Sequence, residues 1–290
     1  MNSAIVLLFG VAAMLCGYLF YSKFIATKIL ALDNSRPTPA HTMKDGVDYV
    51  PTNKYVLWGH HFTSVAGAAP IIGPAIAVIW GWVPAIIWVV LGTIFMAGVH
   101  DMSAIWASMR NKGQSIGSIA GTVMGTRVRS LMMIVIFLLL LMVNAVFGVA
   151  IANMMIKTPS AVLPVWGALI VAFIIGQCIY RYKMNLLWVS IIGVTALYGL
   201  IYLGPMFPIV LPETVFGLPD NAVWILILFG YAAVASLLPV WMLLQPRDYI
   251  NGLQLFVGLI LLYAAIFIAT PDIVAPAINT ALPVGTPSLM

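Results

Sequence analysis

Residues 59–82 read GHHFTSVAGAAPIIGPAIAVIWGW, an apolar run long enough to enter a bilayer but interrupted at Gly67, Pro70, Gly73 and Pro74. A proline inside a helix removes a backbone donor and clashes with the preceding turn, and glycine adds roughly 1 kcal/mol relative to alanine. One unbroken helix is therefore not expected here. In hydrocarbon each freed N–H and C=O needs a partner, so a broken membrane segment survives only where protein, water or a solute supplies one. The stretch is the first candidate for a transport site.

The rest of the chain agrees with a membrane setting. Hydrophobic residues make up 63% of the 290 and charged residues 7%, and the mean hydropathy is +1.08. No soluble globule with an ordinary polar surface is built from such a composition, so an all-α polytopic membrane protein is expected. The net charge is +5, but the basic residues are scattered over short loops and line no continuous face, which argues against a nucleic-acid partner. Cys16 and Cys178 sit in apolar runs without metal or disulfide spacing, and a buried structural role is expected for both. Residues 4–19 lack a basic leader region and read as a retained helix.

Apolar runs able to cross a core of about 30 Å fall at 4–22, 60–82, 84–108, 130–155, 162–180, 184–203, 222–244 and 251–269, giving about eight crossings. If they alternate, each of the 13 basic residues except Lys157 falls on one side, which should be cytoplasmic. The N-terminus and the outer loop or tail at 270–290 then lie outside. Omitting 60–82 would scatter the basic residues over both sides, so the broken segment is expected to cross. The proline-rich loop 204–219 is expected to pack as an outer cap. The DGVDYVPTNKYV run at 45–56 mixes turn formers with aromatics and reads as an ordered lead-in to the broken segment, a disordered tether being the alternative.

If the helix unwinds over residues 67–73, Pro74 stands at the first position of a new half-helix, where its missing N–H costs nothing. The unpaired N–H groups and positive dipole end there suit a carboxylate without a buried lysine or arginine. Gly67, Ala68, Ala69, Pro70, Gly73 and Pro74 are thus candidate substrate-binding residues, with a simple proline kink as the alternative. A second break, SLLPVW at 236–241, lies in the middle of the 222–244 crossing and adds Leu238, Pro239 and Trp241. Paired breaks at corresponding places, running in opposite directions, point to an inverted-repeat transporter.

The ionisable residues within or beside the crossings are candidates for proton coupling or gating. His60 and His61 begin the broken helix; adjacent residues point roughly 100° apart and cannot chelate one metal, so no metal or cofactor is expected. One of them could titrate near neutral pH and couple proton movement to transport, or both could be interfacial and structural. His100 and Asp101 are embedded in a crossing, about 24 Å from Ala85 at helical rise. Asp101 shares a small, polar stripe with Thr93, Ala97, Ala104 and Ser108 that is expected to turn toward the bundle. It is a proton or cation carrier on one reading and a snorkelling or packing ion pair on the other. Gln245, Arg247 and Asp248 also carry two readings: Pro246 opens the last helix with Asp248 in its first turn and Arg247 as an anchor, or the residues form a gate ion pair at the cytoplasmic mouth. Asn144, Gly148 and Ala152 form a small helix-packing face. No nucleophile-base constellation and no phosphate loop is present, so an enzyme is not expected.

The runs DGVDYVPTNKYVLWGHHFTSVAGAAPIIGPAIAVIWGW, GTIFMAGVHDMSAIWASMRNKGQSIG and LPVWMLLQPRDYIN closely resemble the carbon starvation protein A family of bacterial and archaeal inner-membrane transporters, from Lys44 onward. The resemblance implies proton-driven uptake of peptides or pyruvate when carbon is short; sodium is the alternative coupling ion. It also implies the amino acid-polyamine-organocation fold, a five-plus-five inverted repeat whose first and sixth core helices are broken. The chain is then a single transmembrane domain: 4–22 an extra helix, 60–203 the first repeat and 222–269 the start of the second. Members of that family are longer, so a C-terminally truncated chain, or one completed by a partner chain, is expected. A non-transporting sensor or assembly subunit is the alternative function.

Overall fold

The computed structural model describes residues 2–282, with backbone alone for residues 68–72. Apart from a single helical turn at Pro39–Thr42, the helices in chain order are α1 Ser3–Ile29, α2 Lys54–Val65, α3 Ala68–Ala77, α4 Trp82–Arg110, α5 Ile116–Met124, α6 Thr126–Lys157, α7 Pro159–Arg181, α8 Leu186–Met206, α9 Asp220–Leu237 and α10 Leu244–Ala269. Between α8 and α9 a two-residue antiparallel hairpin pairs β1 Thr214–Val215 with β2 Leu218–Pro219. Among the described residues, 7 helices (α1, α4 and α6 to α10) are long and apolar enough to cross a membrane. The chain is a mostly helical, multi-pass membrane protein.

The expected crossing at 60–82 is two shorter helices. At helical rise α2 and α3 reach roughly 18 and 15 Å, and neither spans a bilayer alone. The break lies at Ala66 and Gly67, and helix resumes at Ala68. This corrects the expectation that residues 67–73 unwind and that Pro74 opens the second half: Pro74 lies inside α3. Gly67 is extended (φ −72°, ψ −169°) as the N-cap. Pro70 falls in the first turn, where a backbone N–H has no intrahelical partner in any case, so that proline need not delay the helix. The helix also begins before His60, which is the seventh residue of α2; Asn53 caps α2, its Oδ1 accepting the Tyr55 N–H at 2.9 Å.

The second break joins two helices and does not interrupt one at its middle. α9 ends at Leu237, Leu238 is extended (φ −85°, ψ 143°), and α10 starts at Leu244. Pro239 lacks a donor and biases Leu238 away from helix, which places the stop there. With its 18 residues, α9 reaches about 27 Å before the break.

The chain forms two compact units. The first contains the described residues of Met1–Thr42, Val65–Ile119 and Val257–Met290. Here Gly17 of α1 sits against Ile94 of α4, and the Tyr21 and Phe95 rings meet edge-on at 4.9 Å. The segment after α10 supplies carbonyls to two helix starts: Pro271 accepts from the Ser3 N–H at 3.0 Å, while Pro276 and Ala277 accept from Trp82 and Val83, each at 3.1 Å. Those donors open α1 and α4 and have no partner inside their own helices. Cys16 is exposed, against the expectation of burial, because on a spanning helix an apolar side chain is equally suited to face lipid.

The second unit contains Met43–Ser64 and Ala120–Phe256. Its core joins Val56 of α2, Ile175 of α7, Val189 and Leu197 of α8, and Tyr249 and Ile250 of α10. A second cluster joins Ala152 and Met155 of α6, Val162 of α7 and Trp224 of α9. Gly148 of the small face predicted on α6 meets Phe229 of α9 and Ala152 is fully buried, whereas Asn144 is exposed. The lead-in to α2 is ordered by Asp45, whose Oδ1 accepts the N–H groups of Val47, Asp48 and Tyr49 at 2.8, 2.9 and 2.8 Å. These bonds hold the Asp45 carboxyl below its ordinary value.

Candidate functional site

Small residues let α2 and α10 approach closely inside the second unit. A Cβ on Gly59 would lie 2.8 Å from Tyr249 Cδ2 and 3.1 Å from its Cα, and one on Gly252 would lie 2.8 Å from Thr63 Oγ1. Such approach is what small residues provide at membrane helix contacts. The Trp58 ring stacks on Phe256 at 5.1 Å and the Phe62 ring lies tilted against it at 4.6 Å, and Thr63 Oγ1 donates to the Asp248 carbonyl at 2.7 Å. The crossing is thereby pinned on both sides of His60.

With the helices this close, His60 reaches Asp248, 188 residues away in the chain: Nδ1 and Oδ2 are 2.9 Å apart. An ionised carboxylate only accepts, so Nδ1 carries the proton of that bond and Nε2 is left with its lone pair when the ring is neutral. The other carboxylate oxygen, Oδ1, accepts from Arg247 Nε at 3.0 Å and Nη2 at 2.8 Å. Arg247 Nη1 also donates to the Tyr231 hydroxyl on α9 at 3.1 Å. Asp248 is 3% exposed. A carboxylate buried that far is retained only when paired and hydrogen-bonded, and here each oxygen has its own cationic or polar partner.

A neighbouring network holds Gln245. Its Oε1 accepts from the Tyr180 hydroxyl of α7 at 2.6 Å and from Thr52 Oγ1 at 3.5 Å. The Tyr180 ring lies 5.7 Å from that of Trp241, whose indole N–H is buried without a hydrogen-bond partner. Tyr249 meets Ser190 of α8 at 2.7 Å; Ser190 donates to the Leu186 carbonyl, so the tyrosine is the donor of the pair. Gln245 and Asp248 thus belong to different networks. Asp248 is the fifth residue of α10, beyond the first turn that was expected to hold it.

The other candidates fall elsewhere. His61 is exposed. His100 and Asp101, in the first unit, pair with each other at 3.1 Å, and the His100 side chain is 80% exposed. No residue of Gly98–Arg110 is buried, so the stripe through Asp101 does not turn into a packed interior among the described residues. Gly67 and Gly73 have nothing within 4 Å of a Cβ position, unlike Gly59. The side chains of Ala68, Ala69 and Pro70 lie outside the described residues. Gly73 and Pro74 belong to the first unit, and Leu238, Pro239 and Trp241 to the second.

Sequence reasoning missed Thr63, Tyr231, Tyr180, Thr52 and Ser190. Thr63 had a legible signal, since it follows His60 by three residues and shares its face. Tyr231 is a lone polar residue in the apolar run LILFGYAAVA, which marks an interior-facing position without naming its partner.

A helical bundle that pairs a buried aspartate with a partly exposed arginine and histidine beside apolar spans defines an integral membrane protein with an ionisable centre. The chain belongs to the carbon starvation protein CstA family, whose model matches residues 2–288. It is 34% identical over 275 residues to the peptide transporter CstA of Campylobacter jejuni, covering 93% of this chain and 39% of that protein. It is 30% identical over 289 residues to the peptide transporter CstA of Bacillus subtilis, covering 100% and 48%, and 34% identical over 275 residues to the pyruvate/proton symporter BtsT of Escherichia coli, covering 93% and 38%. The chain therefore spans less than half the length of these relatives. No solved structure matches it significantly.

Proposed function

We propose that this chain belongs to a secondary active transporter that imports peptides or pyruvate-like carboxylates across a bacterial or archaeal inner membrane during carbon starvation, driven by protons. The observation that carries this reading is the His60–Asp248–Arg247 cluster, an ionisable centre in which the short helix α2 brings His60 against the start of the spanning helix α10; ionisable groups set among apolar helices mark proton and substrate paths. The names of the relatives, peptide transporter and pyruvate/proton symporter, supply the substrate classes. The fold we propose is the five-plus-five inverted repeat, with the breaks at Gly67 and Leu238 in its first and sixth core helices and the N-terminus outside. Leu238–Trp241, in the unit that holds the cluster, supply backbone groups to the substrate, with protons rather than sodium as the coupling ion.

The test is uptake of labelled pyruvate and of labelled dialanine into proteoliposomes, with and without an imposed proton gradient. This chain is compared with one extended to the length of its relatives. Uptake that rises with the gradient is the expected result. No gradient-dependent uptake of either solute by the extended chain rejects the reading.

A further inference from the structure

We propose that His60, Asp248 and Arg247 form a loading site that takes up one proton and one carboxylate group together, with Arg247 receiving the carboxylate. The inference rests on the transport reading above and assigns that reading its coupling step.

Charge balance carries the argument. With a neutral imidazole the cluster sums to zero, Arg247 positive against Asp248 negative. In a low-dielectric interior an added carboxylate would leave one uncompensated negative charge, which is strongly disfavoured. His60 resolves this because its Nδ1 is already committed to Asp248 Oδ2, so a proton arriving at Nε2 gives the cluster a net charge of +1. A carboxylate entering with that proton restores neutrality. Neither species is stable in the site without the other, which is the thermodynamic requirement for symport.

The geometry assigns the receiving group. A guanidinium has five N–H donors, and Arg247 uses three, at Nε and Nη2 toward Asp248 and at Nη1 toward Tyr231. Two remain for a ligand. The Arg247 side chain is 29% exposed and that of Asp248 4%, so Arg247 is the more accessible member of the ion pair. Planar guanidinium donors match a carboxylate in shape as well as charge. The titratable groups facing the pair are His60 from α2, Tyr231 from α9, and Tyr249 from α10, whose hydroxyl is engaged by Ser190 of α8.

The test measures binding of pyruvate to the full protein between pH 6 and 8.5, together with gradient-driven accumulation in proteoliposomes. Wild-type affinity should fall by up to about tenfold per pH unit toward the alkaline end of that range, the signature of one linked proton. Asp248→Asn fixes the cluster at +1 without a proton, so its pyruvate binding should become flat with pH and gradient-driven accumulation should disappear. Arg247→Gln should weaken pyruvate binding at least tenfold at every pH, and uncharged methyl pyruvate should not compete in the wild type. His60→Gln, which keeps an amide donor for Asp248, should bind weakly and without pH dependence; it decides the matter if Asp248→Asn fails to insert. A tenfold slope retained in Asp248→Asn or His60→Gln overturns the inference, as does normal pyruvate binding by Arg247→Gln. Wild-type transport with pH-independent binding overturns it while leaving the transport reading intact. No wild-type binding or flux of pyruvate or dialanine removes both.

Discussion

Replacing Gly59 by alanine tests whether the close approach of α2 and α10 builds the ionisable cluster. The new Cβ would stand 2.8 Å from Tyr249 Cδ2 and 3.1 Å from Tyr249 Cα, where ordinary contact begins at 3.4 Å. The ring cannot simply turn aside, because its hydroxyl is held by Ser190 and Tyr249 is 6% exposed. The helices must therefore separate by roughly 0.6 Å, the shortfall between a tolerable contact and the one imposed. Added to the 2.9 Å between His60 and Asp248, that takes the pair to about 3.5 Å, the point at which a hydrogen bond is largely lost. Overpacking of this kind costs about 1–3 kcal/mol. For a chain of this size that corresponds to a fall in Tm of about 2–12 °C in detergent, at roughly 2–4 °C per kcal/mol. The control is Gly258→Ala on α10, where a Cβ meets nothing within 4 Å; its Tm should stay level or rise, since alanine is the better helix former. Matching melting curves for Gly59→Ala, Gly258→Ala and wild type would refute the packing argument.

Three further outcomes follow from the same geometry. Thr63→Val removes the bond to the Asp248 carbonyl and should cost about 1 kcal/mol, seen as a Tm drop of about 2–4 °C; an unchanged melt means that the bond contributes nothing. Trp241→Phe keeps a ring beside Tyr180 while removing a buried N–H without a partner, so Tm should stay level or rise while KM for the transported solute increases; an unchanged KM takes Trp241 out of the proposed site. For Asp45 the folded carboxyl lies below its ordinary value of 3.8, so the stability it lends the lead-in is complete above that value and is lost only as pH falls through the lower folded value. Hydrogen exchange at Val47, Asp48 and Tyr49 should thus show no loss of protection from the Asp45 cap between pH 7 and 5, after correction for intrinsic rates, whereas Asp45→Ala should exchange faster throughout. Equal protection in the variant would show that the three bonds do not order the loop.

The spans were legible because the free energy of leaving water is a local sum over side chains. Runs such as 130–155 and 162–180 matched α6 Thr126–Lys157 and α7 Pro159–Arg181 with ends shifted by only a few residues. Proline and glycine marked both breaks, but their positions within a helix were less legible. A proline is tolerated in the first turn as well as at the first position, which is why the restart falls at Ala68 and not at Pro74.

By itself the sequence determined a helical membrane protein, the number and place of its apolar spans to within one broken segment, and a short list of ionisable residues near them. Each of those follows from composition and spacing along one stretch of chain. Tertiary structure decided which of these residues meet. His100–Asp101 and His60 satisfied the same rule about charge in a membrane, yet the former pair is exposed and the latter finds Asp248 across 188 residues. Helical periodicity fixes the face on which a side chain lies, whereas its partner depends on which helices pack together and how closely, and Gly59, Thr63 and Gly252 set that distance.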